Sequence, residues 1–152
     1  MSDAMRVQPF ATQLRRVLVE FERKRAIFDI PAPLFHAPTA ALGVPPLFGR
    51  TLATPIGPSA GPHTQLSQNI VSSWLCGGRF IELKTVQLND ALEIPRPCID
   101  MTDEGYNVEW SQELKLEQSA HEYVVAWAIL HILRRVLGWE GVPFGTIFDM
   151  SI

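Results

Sequence analysis

The segment TLATPIGPSAGPHTQLSQNIVSSWLCGGRFIELKT, residues 51–85, carries the pattern that decides the fold. Residues 51–56 predict a short strand, and Thr64 has the chemistry of an N-cap for the helix that follows. That helix ends at the glycine pair beginning with Gly77, and residues 79–85 predict a second strand with the apolar density of a covered one. The apolar residues of the predicted helix, Leu66, Ile70, Val71 and Trp74, recur at helical spacing. Strand, helix and strand with short links predict a βαβ unit with parallel strands.

The flanking segments extend this pattern in both directions. Residues 9–25 predict an amphipathic helix, and the prolines of residues 31–46 predict an extended connector or clasp. Residues 117–137 are apolar nearly all round, which predicts a helix buried on several sides, and TIFDMSI at 146–152 predicts a third strand.

Alternating strands and helices indicate the α/β class, with a parallel sheet that is open or closed into a barrel. Three strands cannot close a barrel, so an open sheet and an incomplete barrel both remain as alternatives at this point. In such folds the chemistry gathers at the carboxyl ends of the strands.

The composition excludes several classes of function. The 152-residue chain has a formal net charge of −3, and no stripe of Lys and Arg alternates with aromatic residues as a nucleic-acid groove requires. The N-terminus lacks the basic and apolar regions of a signal peptide, and the apolar run VVAWAIL is interrupted by His131 before it reaches spanning length. We therefore expect a cytoplasmic protein with no membrane span and no nucleic-acid partner.

The GPSAG motif at residues 57–61 matches the G-x-S-x-G elbow of serine hydrolases. That interpretation needs an acid and then a histidine later in the chain, and Asp100 or Asp103 with His121 have this order. However, His121 falls in a predicted helix rather than in a late loop. The hydrolase interpretation is therefore the weakest of those that the motif allows.

The same loop is not a Walker phosphate loop, because no Lys with Ser or Thr closes it. Ser59, Ala60 and Gly61 carry little side chain, so a planar ligand can lie against the backbone at the end of the strand. A tight turn without any ligand is the remaining alternative.

Lys84 is the second informative residue, since strands of this kind rarely carry an ammonium group. Its head can pair with Glu82 or Asp90 near the surface, or it can be directed at an anionic ring or substrate. Cys76 and Cys98 are too few for a zinc or iron–sulfur site, and the four histidines show no metal spacing.

Two runs of the sequence resemble a known family. They are MRVQPFATQLRRVLVEFERKRAIFDIP at 5–31 and the run at 54–114 that contains SAGPHTQ, FIELKTVQ, PCID and EWS. In that order they resemble the N-terminus of the selenate reductase subunit family. Its members are large flavin and iron–sulfur oxidoreductases whose first domain is similar to a dihydroorotate dehydrogenase barrel. The resemblance therefore implies the first part of a TIM (β/α)8 barrel of this type, truncated after about three strands. Residues 1–50 would form an N-terminal helix and proline-rich connector, and residues 51–152 an incomplete FMN-binding barrel.

The resemblance implies an FMN site. Ser59, Ala60 and Gly61 match the small-residue turn that lies against the flavin, and Lys84 matches the lysine that approaches the polar edge of the flavin and the substrate. Asn107 falls where the family places a substrate-contacting asparagine, in a looser match.

The resemblance also implies what lies elsewhere in the longer protein. The catalytic base, the barrel's phosphate site, the iron–sulfur clusters and the NAD(P)H and FAD sites have no counterpart in these residues. We therefore expect part of an oxidoreductase that moves electrons between NAD(P)H and an acceptor, with the remaining barrel and electron-transfer domains as partners. The alternative is a non-catalytic fragment or assembly module that self-associates through exposed strand edges and an apolar helix face.

Overall fold

The computed structural model describes residues 5–37, 45–86, 99–100, 106–107 and 113–150, and for 99–100 and 106–107 it describes the backbone only. The elements are α1 (Phe10–Lys24), β1 (Ala26–Ile27), β2 (Ile30–Pro31), α2 (Ser67–Leu75), β3 (Phe80–Glu82), β4 (Ile99–Asp100), β5 (Tyr106–Asn107), α3 (Leu116–Val136) and β6 (Ile147–Asp149). The three predicted helices are confirmed to within one or two residues at each end.

Helix α1 packs by one stripe that includes Val17 and Phe21, as its amphipathic pattern predicts. It ends at Arg25 in the left-handed region, and a tight antiparallel hairpin of β1 and β2 follows. The hairpin turn places Phe28 and Asp29 at positive φ. The Glu20 carboxylate accepts hydrogen bonds from both of their N–H groups, at 2.9 and 2.8 Å, which fixes this unusual turn.

The parallel pair β3 and β6 lies at the centre of the fold, with Phe80 opposite Ile147 and Glu82 opposite Asp149. The third predicted strand is confirmed over Ile147–Asp149, while residues 151–152 lie outside the described part. Helices α2 and α3 cover one face of the pair, and Ile81 and Leu83 point into the core that they form.

The predicted strand at residues 51–56 is wrong, because the structure has no regular strand there. The segment still runs along the free side of β3, since the carbonyls of Ile56 and Pro58 accept from the N–H groups of Phe80 and Glu82, both at 3.2 Å. Pro55 and Pro58 have no N–H to complete a ladder, which prevents regular pairing. The spatial order is nevertheless 51–58, β3 and β6, with all three segments parallel.

Gly57 is required in that segment by a close approach of two backbones. A Cβ added at this position would lie 1.4 Å from the carbonyl oxygen of Phe80, so any side chain there would force the two segments apart.

Helix α2 has a buried carboxylate at its N-terminus, although that carboxylate comes from α3. The Glu122 carboxylate accepts from the N–H of Ser67 at 2.7 Å and from its hydroxyl at 2.5 Å. The Gln13 amide of α1 donates to the same hydroxyl at 2.7 Å. A single buried polar cluster therefore joins all three helices at the positive end of the α2 dipole.

A buried arginine occupies the opposite end of α2. The Arg79 guanidinium donates to the carbonyls of Trp74 at 2.5 Å, Gly78 at 3.0 Å and His36 at 2.7 Å, and it lies 4.8 Å from the centre of the Trp74 ring. Burial lowers its pKa to about 10, so the group keeps its charge at neutral pH. The bond to His36, with the bond from the N–H of His36 to the Leu75 carbonyl at 2.7 Å, holds the described start of the proline-rich segment against the C-terminus of α2. Residues Ala32–Leu34 form a 3-10 turn there, so this part is not the extended chain that the prolines predicted.

Aromatic rings fill the space where α2, α3 and β6 meet. The Trp74 indole donates to the Thr146 hydroxyl at 3.0 Å, and its ring lies 5.2 Å from that of Trp139. Trp127 packs edge-on against Phe144 and Phe148, at 5.2 and 4.9 Å. These contacts fix the position of β6 beside β3.

Replacing Arg79 by Met is expected to lower the free energy of unfolding by about 3 kcal/mol, because three buried carbonyls lose a charged donor. Urea denaturation followed by circular dichroism measures the change. The exposed Arg23→Met serves as the matched control and should stay within about 0.5 kcal/mol of the wild type. Equal unfolding midpoints for the two variants would contradict the structural role of Arg79.

Candidate functional site

The loop that contains Ser59, Ala60 and Gly61 lies at the end of the 51–58 segment and against β3. The Glu82 side chain holds it there, since its carboxylate accepts from the N–H of Ala60 at 3.0 Å. The N–H of Glu82 also donates to the Pro58 carbonyl at 3.2 Å. The loop is therefore attached to β3 on both sides of Ser59, which is exposed.

Thr64 closes the next turn rather than capping α2, so its predicted role as N-cap is wrong. Its hydroxyl accepts from the N–H of Gly61 at 3.2 Å and donates to the Gly61 carbonyl at 3.0 Å. Residues Pro62–Gln65 form a 3-10 turn, and α2 begins only at Ser67, where Glu122 supplies the cap. Sequence reasoning missed that cap because Glu122 lies 55 residues further along the chain.

Lys84 is the second residue after β3, and it is only 4 % exposed. Its ammonium group donates to the carbonyl of Thr85 at 3.2 Å. Its own carbonyl accepts from the hydroxyl of Tyr123 on α3, at 2.7 Å. The backbone at the predicted lysine is thus anchored to a helix.

Lys84 and the loop reach the same end of neighbouring parallel segments. Because side chains alternate along a strand, Phe80, Glu82 and Lys84 lie on the face opposite to Ile81 and Leu83, which fill the helix-covered core. Asp149 is paired in register with Glu82 and shares its face. The sheet therefore carries a cation and two carboxylates on the face turned away from the helices, which for a barrel is the interior face.

The loop with Ser59, Ala60 and Gly61 is attached to β3 through Glu82, and Lys84 lies two residues beyond Glu82 at the same end of the strand. No hydrogen bond within the described ranges joins the backbone of Asn107 to these residues. The backbone of Asn107 is paired with Ile99 in the β4–β5 hairpin, and the description of that residue extends to its backbone alone. Its contact with a substrate stays a prediction.

The hydrolase interpretation gains no support from the geometry. In the described ranges no hydrogen bond joins Ser59 to a histidine, and the His121 ring instead contacts the carbonyl of Gln8 at 3.2 Å. Asp103 lies outside the described residues, and for Asp100 only the backbone is described. Within the described residues, Ser59 therefore does not form a catalytic triad with a histidine and an acid.

Metal binding was not expected from the cysteines and histidines. Cys76 is exposed with a free thiol, and Cys98 lies outside the described residues. Among the placed residues, no three His, Cys, Asp or Glu side chains come close enough together to hold a metal ion. In the same ranges no helix has both the length and the apolar character needed to cross a membrane.

Tyr123 is the residue of this region whose contribution the sequence pattern did not reveal. Burial raises the pKa of its hydroxyl to about 12, so the group stays protonated and donates to the Lys84 carbonyl throughout the neutral range. In the sequence it reads only as one more apolar position of a buried helix.

The raised pKa of Tyr123 predicts a loss of stability in alkaline solution. Its ordinary pKa is 10.0 and its folded pKa about 12, so its contribution is complete below pH 10 and is lost as the pH rises through 12. Urea denaturation at a series of pH values should show a smaller alkaline loss for Tyr123→Phe than for the wild type. Parallel curves for the two proteins would contradict the assignment.

Comparison with known proteins identifies the family of this chain. Residues 28–152 match the family described as "Oxidoreductase YgfK, N-terminal TIM-barrel domain". The whole chain is 50% identical to "Putative oxidoreductase YgfK" of Escherichia coli strain K12, and equally to the protein of that name from Escherichia coli O157:H7. The chain spans 15% of the length of each of these relatives. No solved structure matches the chain significantly.

Proposed function

This chain belongs to the family of YgfK oxidoreductase N-terminal TIM-barrel domains, and from that membership we propose that it contributes an FMN site to an electron-transferring barrel. Ser59, Ala60 and Gly61 would lie against the flavin ring, and Lys84 would face its polar edge. The longer protein would take electrons from NAD(P)H and deliver them to an acceptor, using FAD and iron–sulfur clusters held by other domains. Its resemblance to the selenate reductase subunit family and to dihydroorotate dehydrogenase barrels supports this assignment.

One observation carries the proposal: a buried lysine and a small-residue loop lie at the carboxyl ends of adjacent parallel segments. Active sites of TIM barrels are built at that end of the strands. Lys84 is 4 % exposed and lies on the face that a complete barrel would enclose. The loop offers a flat wall, because no side chain larger than that of serine projects from residues 59–61.

The residues present fit a flavin ring. The N–H and hydroxyl of Ser59 form no hydrogen bond within the described ranges, so both can contact a ligand. FMN, when bound, accepts an electron pair and releases electrons singly. The chain's own contribution is positional: the loop limits how closely the ring approaches the strand ends, and the Lys84 ammonium group offers a positive charge to an electron-rich edge.

Tyr123 and the core of α3 support this arrangement from the opposite side of the sheet. By holding the Lys84 carbonyl, the Tyr123 hydroxyl fixes the backbone from which the lysine side chain extends. A lysine has four rotatable bonds, so an anchored backbone is needed to aim its charge reproducibly.

A second candidate function is supported by an apolar groove of about 520 Å3 between the 47–50 turn, α3 and β6. Its walls include Val124, which is 69% exposed, and Phe48, which is 74% exposed, together with Trp127 and Phe148. In a complete barrel, the next strand and helix pack beside β6 and α3. We propose that this groove is the assembly surface for the remaining barrel, and that the chain self-associates when the groove is left uncovered.

The FMN proposal is tested by purifying the full-length gene product and titrating it with FMN. We expect the wild type to bind and to quench flavin fluorescence, and Lys84→Ala to bind about tenfold or more weakly, because a charge contact in a water-poor site is lost. Lys115→Ala, which removes an exposed lysine at the start of α3, is the control and should leave binding unchanged. A wild-type protein that binds no FMN would refute the proposal.

The assembly proposal is tested on the 152-residue chain by sedimentation over a range of concentrations. Val124→Asp should shift the chain toward the monomer, because a charge in the groove opposes its burial. Leu34→Asp alters a leucine that is also exposed but lies outside the groove, and it should leave self-association unchanged. Circular dichroism spectra confirm that the variants fold. A wild-type chain that is monomeric at every concentration would contradict the proposal.

A further inference from the structure

Glu82 contacts the candidate flavin loop through both its backbone and its side chain. Its N–H donates to the Pro58 carbonyl at 3.2 Å, and its carboxylate accepts from the N–H of Ala60 at 3.0 Å. These two hydrogen bonds lie on either side of Ser59 in the sequence. They therefore fix Ser59 at the tip of a closed loop on the β3 strand.

Within the described residues, the hydrogen bond to the N–H of Ala60 is the contact that accounts for the position of the Glu82 carboxylate. Glu82 stands on the sheet face opposite the apolar core, and within the described residues it forms no ion pair with an arginine or lysine. Glu82 is the half-buried last residue of β3, and partial burial of a carboxylate carries a desolvation cost. That cost is offset here by a charge-assisted hydrogen bond to the loop.

We propose that Glu82 is the positioning residue of the candidate flavin site, and that it makes the loop select an uncharged ring surface and reject phosphate. This inference rests on the proposed FMN site. Under this inference, Glu82 determines the shape of the loop and the polarity of the surface that the loop presents to the cofactor.

The loop is expected to reject phosphate because two of its backbone N–H groups already donate hydrogen bonds within the protein. Phosphate-binding loops present several free N–H groups toward one point. Here the N–H of Ala60 is bonded to a carboxylate, and the N–H of Gly61 is bonded to the Thr64 hydroxyl. Within the described residues the N–H of Ser59 forms no hydrogen bond, but the adjacent Glu82 carboxylate repels an anion that approaches it. Asp149, in register with Glu82, adds a second negative charge on the same face, so the carboxylates outnumber the Lys84 ammonium group there.

The test uses the full-length gene product as the wild type, Glu82→Ala, Glu82→Gln and the control Glu22→Ala, which removes an exposed carboxylate from α1. Three quantities are measured on each protein. They are FMN affinity by fluorescence quenching, amide hydrogen exchange of the peptide that contains residues 57–61, and the effect of inorganic phosphate on FMN binding.

We expect Glu82→Ala to bind FMN about tenfold or more weakly and to lose exchange protection in the loop, since its anchoring hydrogen bond is gone. Phosphate should compete with FMN more strongly in this variant than in the wild type, because the N–H of Ala60 becomes free and a negative charge is removed. Glu82→Gln keeps an acceptor oxygen, so it should retain loop protection and bind FMN within about threefold of the wild type. Glu22→Ala should behave as the wild type in all three measurements.

Two outcomes would overturn the inference while leaving the FMN site intact: unchanged loop protection in Glu82→Ala, or a Glu82→Gln variant that binds FMN as weakly as Glu82→Ala. A wild type that bound no FMN would refute the proposed function and with it the role of Glu82 in cofactor binding. In that case the exchange data would still decide whether Glu82 holds the loop.

Discussion

The architecture depends on α2, because a buried carboxylate lies at its N-terminus and a buried guanidinium group at its C-terminus. At the N-terminus of α2 the Glu122 carboxylate accepts from Ser67, and at the C-terminus the Arg79 guanidinium donates to the carbonyls of Trp74 and Gly78. Both charges oppose the helix dipole at the end where they lie. Each residue also reaches a further element, so that fixing α2 fixes α1, α3, β3 and the connector together.

The periodicity of apolar residues was enough to predict the helices. It did not predict the conformation of residues 51–56, which is determined by prolines and by a close contact between backbones. The stripe of Val17 and Phe21 identifies α1 directly, because its buried positions repeat every three to four residues. The segment at 51–56 has the composition of a strand, but its prolines and the contact of Gly57 with Phe80 leave it irregular. Its parallel position beside β3 was nevertheless the correct expectation for a βαβ unit.

Contacts between distant residues account for what sequence reasoning missed. Glu122 lies 55 residues from Ser67, and the His36 carbonyl lies 43 residues from Arg79, so neither pairing has a local signature. At the candidate site the small residues of the loop and Lys84 stood out by type, whereas the bond between Ala60 and Glu82 did not. The acid within FIELKT was the one available signal, since a carboxylate is out of place in an apolar strand.

The bond between Arg79 and His36 also has a consequence for the order of folding. During synthesis, α1 and the connector leave the ribosome before Arg79 has been made, so the carbonyl of His36 has no donor to dock against. The docking site for the amino-terminal segment is complete only when α2 has formed and the chain has turned into β3. The segment of α1 and the connector is therefore synthesised before the residues against which it docks, so its apolar stripe stays uncovered until they have followed.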